Sequence, residues 1–244
     1  MPNLPADAVS FYRRQGYYLF RQPVFAPDRF AQLTAIFEEL LANKGNQRAD
    51  QLDTPHFHEP RLLDFLLDDR ILDMVEPVLG PDIGLWSSHF ICKEPNIGRA
   101  TPWHEDSAYW KGRFDRFDGI VTIWLAIDPS DRDNGCMKVI PATHHNGFSD
   151  YTPVDATVNT FDREIPNVDN SQAVYFELAP NQCSLHDSRL IHGADANRSP
   201  RRRCGYTMRY FSQQMKYNAD FGGNRSFKIW HARGRNPHGN PVVN

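Results

Sequence analysis

The chain has 244 residues, of which 40% are apolar and 23% charged, values ordinary for a soluble globular protein and long enough for one large β-barrel or sandwich domain with helical trimmings. A formal net charge of -3 excludes a general attraction to nucleic acid or anionic membrane, and no apolar run approaches the roughly 18 residues of a membrane span. The N-terminus lacks a signal-like apolar core, and the four cysteines (Cys92, Cys136, Cys183, Cys204) lie far apart without a Cys-x-x-Cys, which reads as a reduced, cytoplasmic protein.

Ala8 to Phe20 predicts a short helix followed by the strand Tyr17–Phe20. Pro27 then opens an amphipathic helix whose stripe is Phe30, Leu33, Phe37, Leu40 and Leu41, closed by Lys44 and Gly45. Residues 45–60 are polar and irregular and hold His56-Phe57-His58, a surface loop or flap by its turn-rich setting. Arg61 to Leu79 predicts a second helical stretch that Asp68 and Asp69 divide and Gly80-Pro81 ends. From Ile83 the pattern changes to strands: Ile83–Lys93, Asp118–Ile127, Cys136–Ile140, Gln172–Leu178, Gln182–His186, Leu190–His192 and Cys204–Ser212. Residues 146–170 form a long irregular segment of the kind that is usually functional or mobile. The tail after Tyr217 predicts extended packing or fraying. Short strands with turn residues between them argue for a mainly β fold with flanking helices, a double-sheet jelly roll. With no repeat or linker, 1–244 reads as one domain: helical support over about 1–82, a jelly-roll core over about 83–213, and a tail over 214–244.

The stretch Thr101 to Trp110 contains His104-Glu105-Asp106. On an extended backbone, residues i and i+2 point to one side, so an imidazole and a carboxylate can aim at one point. One more nitrogen from a distant strand would complete a two-His, one-carboxylate face suited to iron(II), with three positions left open. His192, His186, His144 and His145 are the available partners.

The C-terminal half carries His192-Gly193, then Asn197-x-Ser199, then Arg203 eleven residues after the histidine. In these motifs the sequence resembles the phytanoyl-CoA dioxygenase family of iron(II)/2-oxoglutarate oxygenases. Trp110, six residues past His104, matches an aromatic of the similar ectoine hydroxylase. Trp124–Asp128 and Gly135–Pro141 look like the family's third and fourth core strands. The likeness runs from about residue 10 to residue 212. It departs at Ala142-Thr143, where relatives have Gly-Ser, and at Ala194, where they often carry a hydroxyl.

The resemblance implies a double-stranded β-helix (cupin-like) with His104, Asp106 and His192 as metal ligands, Fe(II) and O2 as the oxidising pair, and 2-oxoglutarate as co-substrate. A 2-oxo acid needs a cation at its far carboxylate, and a guanidinium gives a planar two-pronged match. Arg203 is favoured; Arg202 points to the opposite face by alternation, and Arg201 lies nearer the turn. By resemblance Trp124 walls the co-substrate, His89 contacts it and Lys93 assists it, set against a core tryptophan, a sheet histidine and a solvated lysine. Tyr109, Trp110, Trp103 and His58 are expected to line an aromatic, polar-tipped mouth for a small polar metabolite or natural product. The presence of Asp106, which halogenating relatives replace with a small residue, predicts hydroxylation or a related oxidation, with release of succinate and CO2. Competing readings are a non-catalytic jelly-roll binding protein and a cupin-like isomerase without 2-oxoglutarate. The oligomeric state is not legible.

Overall fold

The computed structural model describes residues 4–243; positions 1–3 and 244, at the ends of the expected domain, lie outside the described residues. Helix α1 (Ala6–Gln15) stops at Gly16, whose left-handed φ of 80° lets its N–H reach the Tyr12 carbonyl and turns the chain directly into β1 (Tyr17–Phe20). Helix α2 (Pro27–Ala42) starts with proline in its first turn, where a missing N–H costs nothing, and buries Leu33, Ile36 and Phe37. After the short β2 (Leu52–Asp53), the stretch expected to be helical over 61–79 divides as anticipated. It forms α3 (Leu63–Leu66) and α4 (Asp69–Leu79), and the Asp68 carboxylate caps the second by accepting the Arg70 N–H.

The expected strands are present with ends shifted by a few residues, alongside short strands that the sequence did not signal: β3 (Ile83–Lys93), β4 (Thr101–His104), the one-turn helix α5 (Asp106–Tyr109), β5 (Ile120–Ala126), β6 (Met137–Val139), β7 (Thr152–Pro153), β8 (Arg163–Glu164), β9 (Val174–Tyr175), β10 (Cys183–Asp187), β11 (His192–Ala194), β12 (Arg203–Ser212), β13 (Ile229–Arg233) and β14 (Val242–Val243). Most of them make two facing sheets that do not close into a barrel, while β7 and β8 pair only with each other as a separate ribbon. The larger runs β1-β10-β5-β12-β3-β13-β14, with β2 also on β3, and the smaller runs β4-β11-β6-β9. The tail after Tyr217 is therefore extended and paired, since β13 joins β3 and β14 runs parallel to β13.

Alternation along β12 explains the layering. Cys204, Tyr206, Met208 and Tyr210 face outward into one large apolar cluster with Leu33, Phe37, Phe65, Ile71 and Val75 of the helical layer. A slip of one residue would exchange these for the polar set on the other side, so the core fixes the register. Arg203, Gly205, Thr207 and Arg209 then face inward, toward the smaller sheet. The segment 146–170 is pinned along β4 by Thr160 and Ile165, whose N–H groups donate to the Ala100 and Trp103 carbonyls. All four cysteines are unpaired and buried. No helix among the described residues is long and apolar enough to cross a membrane.

Candidate metal centre and active site

Antiparallel pairing of β4 with β11 sets His192 directly against His104, and their rings lie 4.1 Å apart. The extended His-x-Asp geometry survives for one residue only: Glu105 is extended (φ -117°, ψ 133°), and Asp106 then opens α5. That single step returns the Asp106 carboxylate to the histidine side. One ligand atom from each of His104, Asp106 and His192 lies within 4.8 Å of the others, with all three residues buried.

Each histidine offers the correct nitrogen. The Nδ1 atoms lie 2.8 Å from the carbonyls of Pro102 and Leu190, two residues back. A carbonyl only accepts, so Nδ1 carries the hydrogen and Nε2 keeps its lone pair. Those Nε2 atoms stand 3.8 Å and 3.9 Å from Asp106 Oδ1. Burial lowers the pKa of both imidazoles, with the neighbouring His104 adding to the effect on His192. Burial alone would raise the Asp106 carboxyl, but His186, Arg209 and the two facing histidines outweigh it and hold the group well below its ordinary range. Two neutral imidazoles and one carboxylate are the donor set of a mononuclear iron(II) site, so the residues present fit that ion.

The larger sheet supplies the opposite wall in rungs, because residues paired across adjacent strands share a face. His186, Thr122, Arg209 and Ser87 form one rung across β10, β5, β12 and β3. Ser184, Trp124, Thr207 and His89 form the next but one residue along, about 7 Å away. The first rung sits under the outer oxygen of Asp106: Thr122 Oγ1, His186 Nε2 and Arg209 Nε are 3.5, 3.7 and 3.9 Å from Oδ2. His186 thus stands beside the outer oxygen of Asp106 and outside the trio whose donor atoms converge.

Between the sheets lies a cavity of about 560 Å³ lined by the metal-facing trio together with Trp124, His89, Arg203, Tyr109 and Trp110. At one end Arg203, 2% exposed, donates Nε and Nη2 to the Gly135 carbonyl at 3.0 and 2.6 Å. No carboxylate pairs with it among the described residues. Its guanidinium stands 5.3 Å from the Trp124 ring, and burial lowers its pKa without removing the charge. The rival arginines are committed elsewhere: Arg201 pairs with Asp131, and Arg202 with Asp128 and Glu38. His89 lines the cavity with Nε2 2.9 Å from the Asp50 carbonyl.

Three expected residues stand off this wall, and the structure corrects their placement. Lys93 shares the Arg203 rung, but its ammonium crosses to the smaller sheet and donates to the Ala194 and Asp195 carbonyls, so it ties the two sheets together. Trp103 alternates away from His104 and stacks under Lys138, 4.9 Å from its ammonium. His58 is exposed at the end of a 3-10 turn, while His56 in that turn is a core histidine bonded to Ser88 and packed on Trp230. Conversely, Arg209, Arg113, Thr160 and Phe161 line the cavity without having been foreseen. Arg209 was within reach: it lies six residues past Arg203 on one strand, hence on the same face. Phe161 comes from the aperiodic 146–170 segment, where no pattern could assign it a direction.

Fold and site together define the class: a double-stranded β-helix presenting two imidazoles and a carboxylate to one point inside a cavity. The family model for phytanoyl-CoA dioxygenase (PhyH) matches residues 12–205, and the chain belongs to that family of iron(II)/2-oxoglutarate-dependent oxygenases. It is 31% identical over 222 residues to peroxisomal phytanoyl-CoA dioxygenase of Mus musculus, covering 80% of this chain but only 65% of that protein. Among solved structures it is similar to the non-heme alpha ketoglutarate dependent carbocyclase SnoK from nogalamycin biosynthesis (TM-score 0.73, 22% identity, 91% of this chain and 90% of that one). It is also similar to EctD from S. alaskensis with 2-oxoglutarate and 5-hydroxyectoine (TM-score 0.73, 20% identity, 95% and 84%).

Proposed function

We propose that the protein is an Fe(II)/2-oxoglutarate-dependent dioxygenase that hydroxylates, or otherwise oxidises, an unactivated C–H of a small polar metabolite or natural product. The observation that carries this reading is Arg203: a buried guanidinium without a counter-ion, at one end of a cavity whose middle presents His104, Asp106 and His192. A desolvated cation of this kind is costly unless an anion completes it, and the far carboxylate of a five-carbon diacid supplies one. Ferrous iron and 2-oxoglutarate bound there bring, with O2, the oxidising power, and succinate and CO2 leave as co-products.

The protein's own residues bind, orient and exclude water. His104, His192 and Asp106 would hold the ion, with the Nδ1 hydrogen bonds aiming the imidazoles and Thr122 and His186 flanking the carboxylate. Arg203 would take the distal carboxylate in its two-pronged geometry while Trp124 walls the chain of the diacid. Tyr109, Trp110, Trp86 and Phe161 screen the reacting side from solvent. An occupied carboxylate position at Asp106 leaves no place for a halide, which favours hydroxylation over halogenation. The larger sheet draws β1 from the N-terminal part and β13 from the tail, which supports taking the chain as one domain. Four unpaired cysteines suit a reducing, cytoplasmic setting.

The test is a metabolite screen for succinate release by iron-loaded protein. The reading expects low uncoupled turnover of 2-oxoglutarate that a true substrate raises many-fold, with both lost in His192→Ala. Iron-loaded wild-type protein that never consumes 2-oxoglutarate, with or without added metabolites, would overturn it.

A further inference from the structure

We propose that the substrate carries an oxyanion, a carboxylate or phosphonate, and that Arg209 is the residue that docks it. This rests on the dioxygenase reading above and names the substrate class of the same cavity.

Arg209 is 8% exposed and lines the cavity. One of its nitrogens, Nη1, donates to Ser87 Oγ at 3.2 Å, while buried Nε has no hydrogen-bond partner. Its nearest carboxylate is Asp106, 3.9 Å away and beyond hydrogen-bond reach, and that carboxylate belongs to the metal face. A guanidinium presents five N–H donors in a fixed fork. Most of this fork is therefore uncommitted inside a buried wall, the condition under which an unpaired polar group is expensive to keep.

Charge accounting over the cavity points the same way. Iron(II) with Asp106, 2-oxoglutarate and Arg203 sum to zero. Arg48 and Asp50 neutralise each other at 2.9 Å. What remains along the cavity wall is Arg209, Arg113 and Asp53, a net single positive charge. Arg113 has no carboxylate partner among the described residues: its Nη1 donates to the Gly223 carbonyl and Asn224 Oδ1. An anionic substrate brings the closed site to neutrality, whereas a cationic one would double the imbalance.

The position is right for a second anion distinct from the co-substrate. Arg203 and Arg209 lie on the same face of β12, six residues or about 20 Å apart, with the metal face over the Arg209 end. A diacid held by Arg203 reaches the metal from one side, which leaves Arg209 to the other. Trp110 lies under the Arg209 guanidinium at 5.4 Å and packs edge-on against Trp86 at 5.0 Å. Aromatic walls beside the Arg209 cation, with the Arg113 guanidinium 5.4 Å from the Trp86 ring behind them, describe a subsite for an acid with a compact apolar or aromatic body. A simple brace for Asp106 would also place a cation here, and the experiment separates the two.

The probes are phenylacetate and phenylphosphonate, each against a neutral counterpart (phenylacetamide, and the phosphonate dimethyl ester). Binding to the metal-free protein is read by intrinsic tryptophan fluorescence, to which Trp110 and Trp86 report. In parallel, the iron(II)/2-oxoglutarate chelate is read anaerobically by its visible charge-transfer band. The expected result is saturable binding of at least one acid and of neither neutral form. Affinity should fall about ten- to hundred-fold in Arg209→Gln, the worth of a charge-assisted hydrogen bond, and recover partly in Arg209→Lys. The chelate band should persist in Arg209→Gln, and acid binding should persist in Arg203→Gln. Equal binding of acids and neutral forms, no binding of any acid, or acid binding indifferent to Arg209→Gln would each overturn the proposal. So would loss of the band in Arg209→Gln, which makes the residue a brace for Asp106. Absence of the band from wild-type protein would instead defeat the dioxygenase reading, with acid binding still readable on its own.

Discussion

Replacing Gly205 with alanine is expected to damage the co-substrate end of the cavity through a single methyl group. Gly205 faces inward between Arg203 and Thr207, opposite Ala126 on the next strand. A Cβ there would stand 2.0 Å from Cζ2, 2.1 Å from Cε2 and 2.6 Å from Cη2 of Trp124. These are core atoms of a rigid indole, 3% exposed and packed among Tyr17, Met137, Phe176 and Leu190, so the ring cannot simply swing aside. Overpacking of this kind costs about 1–3 kcal/mol, and in a chain of this size each kcal/mol lowers Tm by roughly 2–4 °C. The displaced indole also loses its place 5.3 Å from the Arg203 guanidinium. An anaerobic titration of iron-loaded protein with 2-oxoglutarate should therefore show about ten-fold weaker binding for each 1.4 kcal/mol transmitted to that contact. Chemical denaturation gives the stability term separately. Wild-type stability together with an unchanged 2-oxoglutarate titration in Gly205→Ala would refute the reasoning, because it would mean that Trp124 does not lie across the strand.

The other predictions concern charge, pH and the metal. Arg203→Lys keeps the cation but not the fork, so 2-oxoglutarate affinity in the same titration should drop about ten- to hundred-fold, while Arg201→Lys and Arg202→Lys, whose partners are carboxylates elsewhere, should leave it within about two-fold. Burial, aided by Lys228, pushes the His56 pKa down to about 3. The unfolded chain takes up this proton near pH 6.5 and the folded chain does not, so acid favours unfolding between those values. At pH 5 the penalty is about 2 kcal/mol. The stability of His56→Asn relative to wild type should accordingly improve as pH falls from 7 to 5 in paired urea melts, and parallel curves would count against it. Iron(II) at one hundred times its Kd should stabilise the protein by about 2.7 kcal/mol under anaerobic conditions, an increase removed by chelator and absent in His104→Ala.

Much of this was legible in the chain because the buried sheets impose strict alternation. Cys204, Tyr206, Met208 and Tyr210 announce an outward face, and parity then assigns Arg203 to the inside and sends Arg202 out to Asp128. The same parity licensed His104 with Asp106, although only Glu105 is extended before α5 begins. Helix α4 could be placed from its stripe and from the break expected at Asp68 and Asp69, where the structure shows Asp68 to be the cap. What escaped depended on contacts with no local period. Lys93 has the correct parity, yet its length lets it reach across to the Ala194 and Asp195 carbonyls. Trp103 looked like a mouth residue by its neighbours, but alternation turns it onto Lys138. His56 read as part of a polar flap, and only the pairing of β13 with β3 brings Trp230 over to bury it. Phe161 reaches the site because the irregular segment is pinned to β4 by backbone hydrogen bonds, which no side-chain pattern encodes.

The claim that His104, Asp106 and His192 together grip one ferrous ion, with a keto acid anchored by Arg203 beside it, is tested most directly by anaerobic visible spectroscopy. Wild-type protein given iron(II) and 2-oxoglutarate should develop the weak charge-transfer band of the chelate, lost in His104→Ala and in His192→Ala and much weaker at equal 2-oxoglutarate in Arg203→Gln. A wild-type spectrum without the band, or a band that survives His192→Ala unchanged, would contradict it.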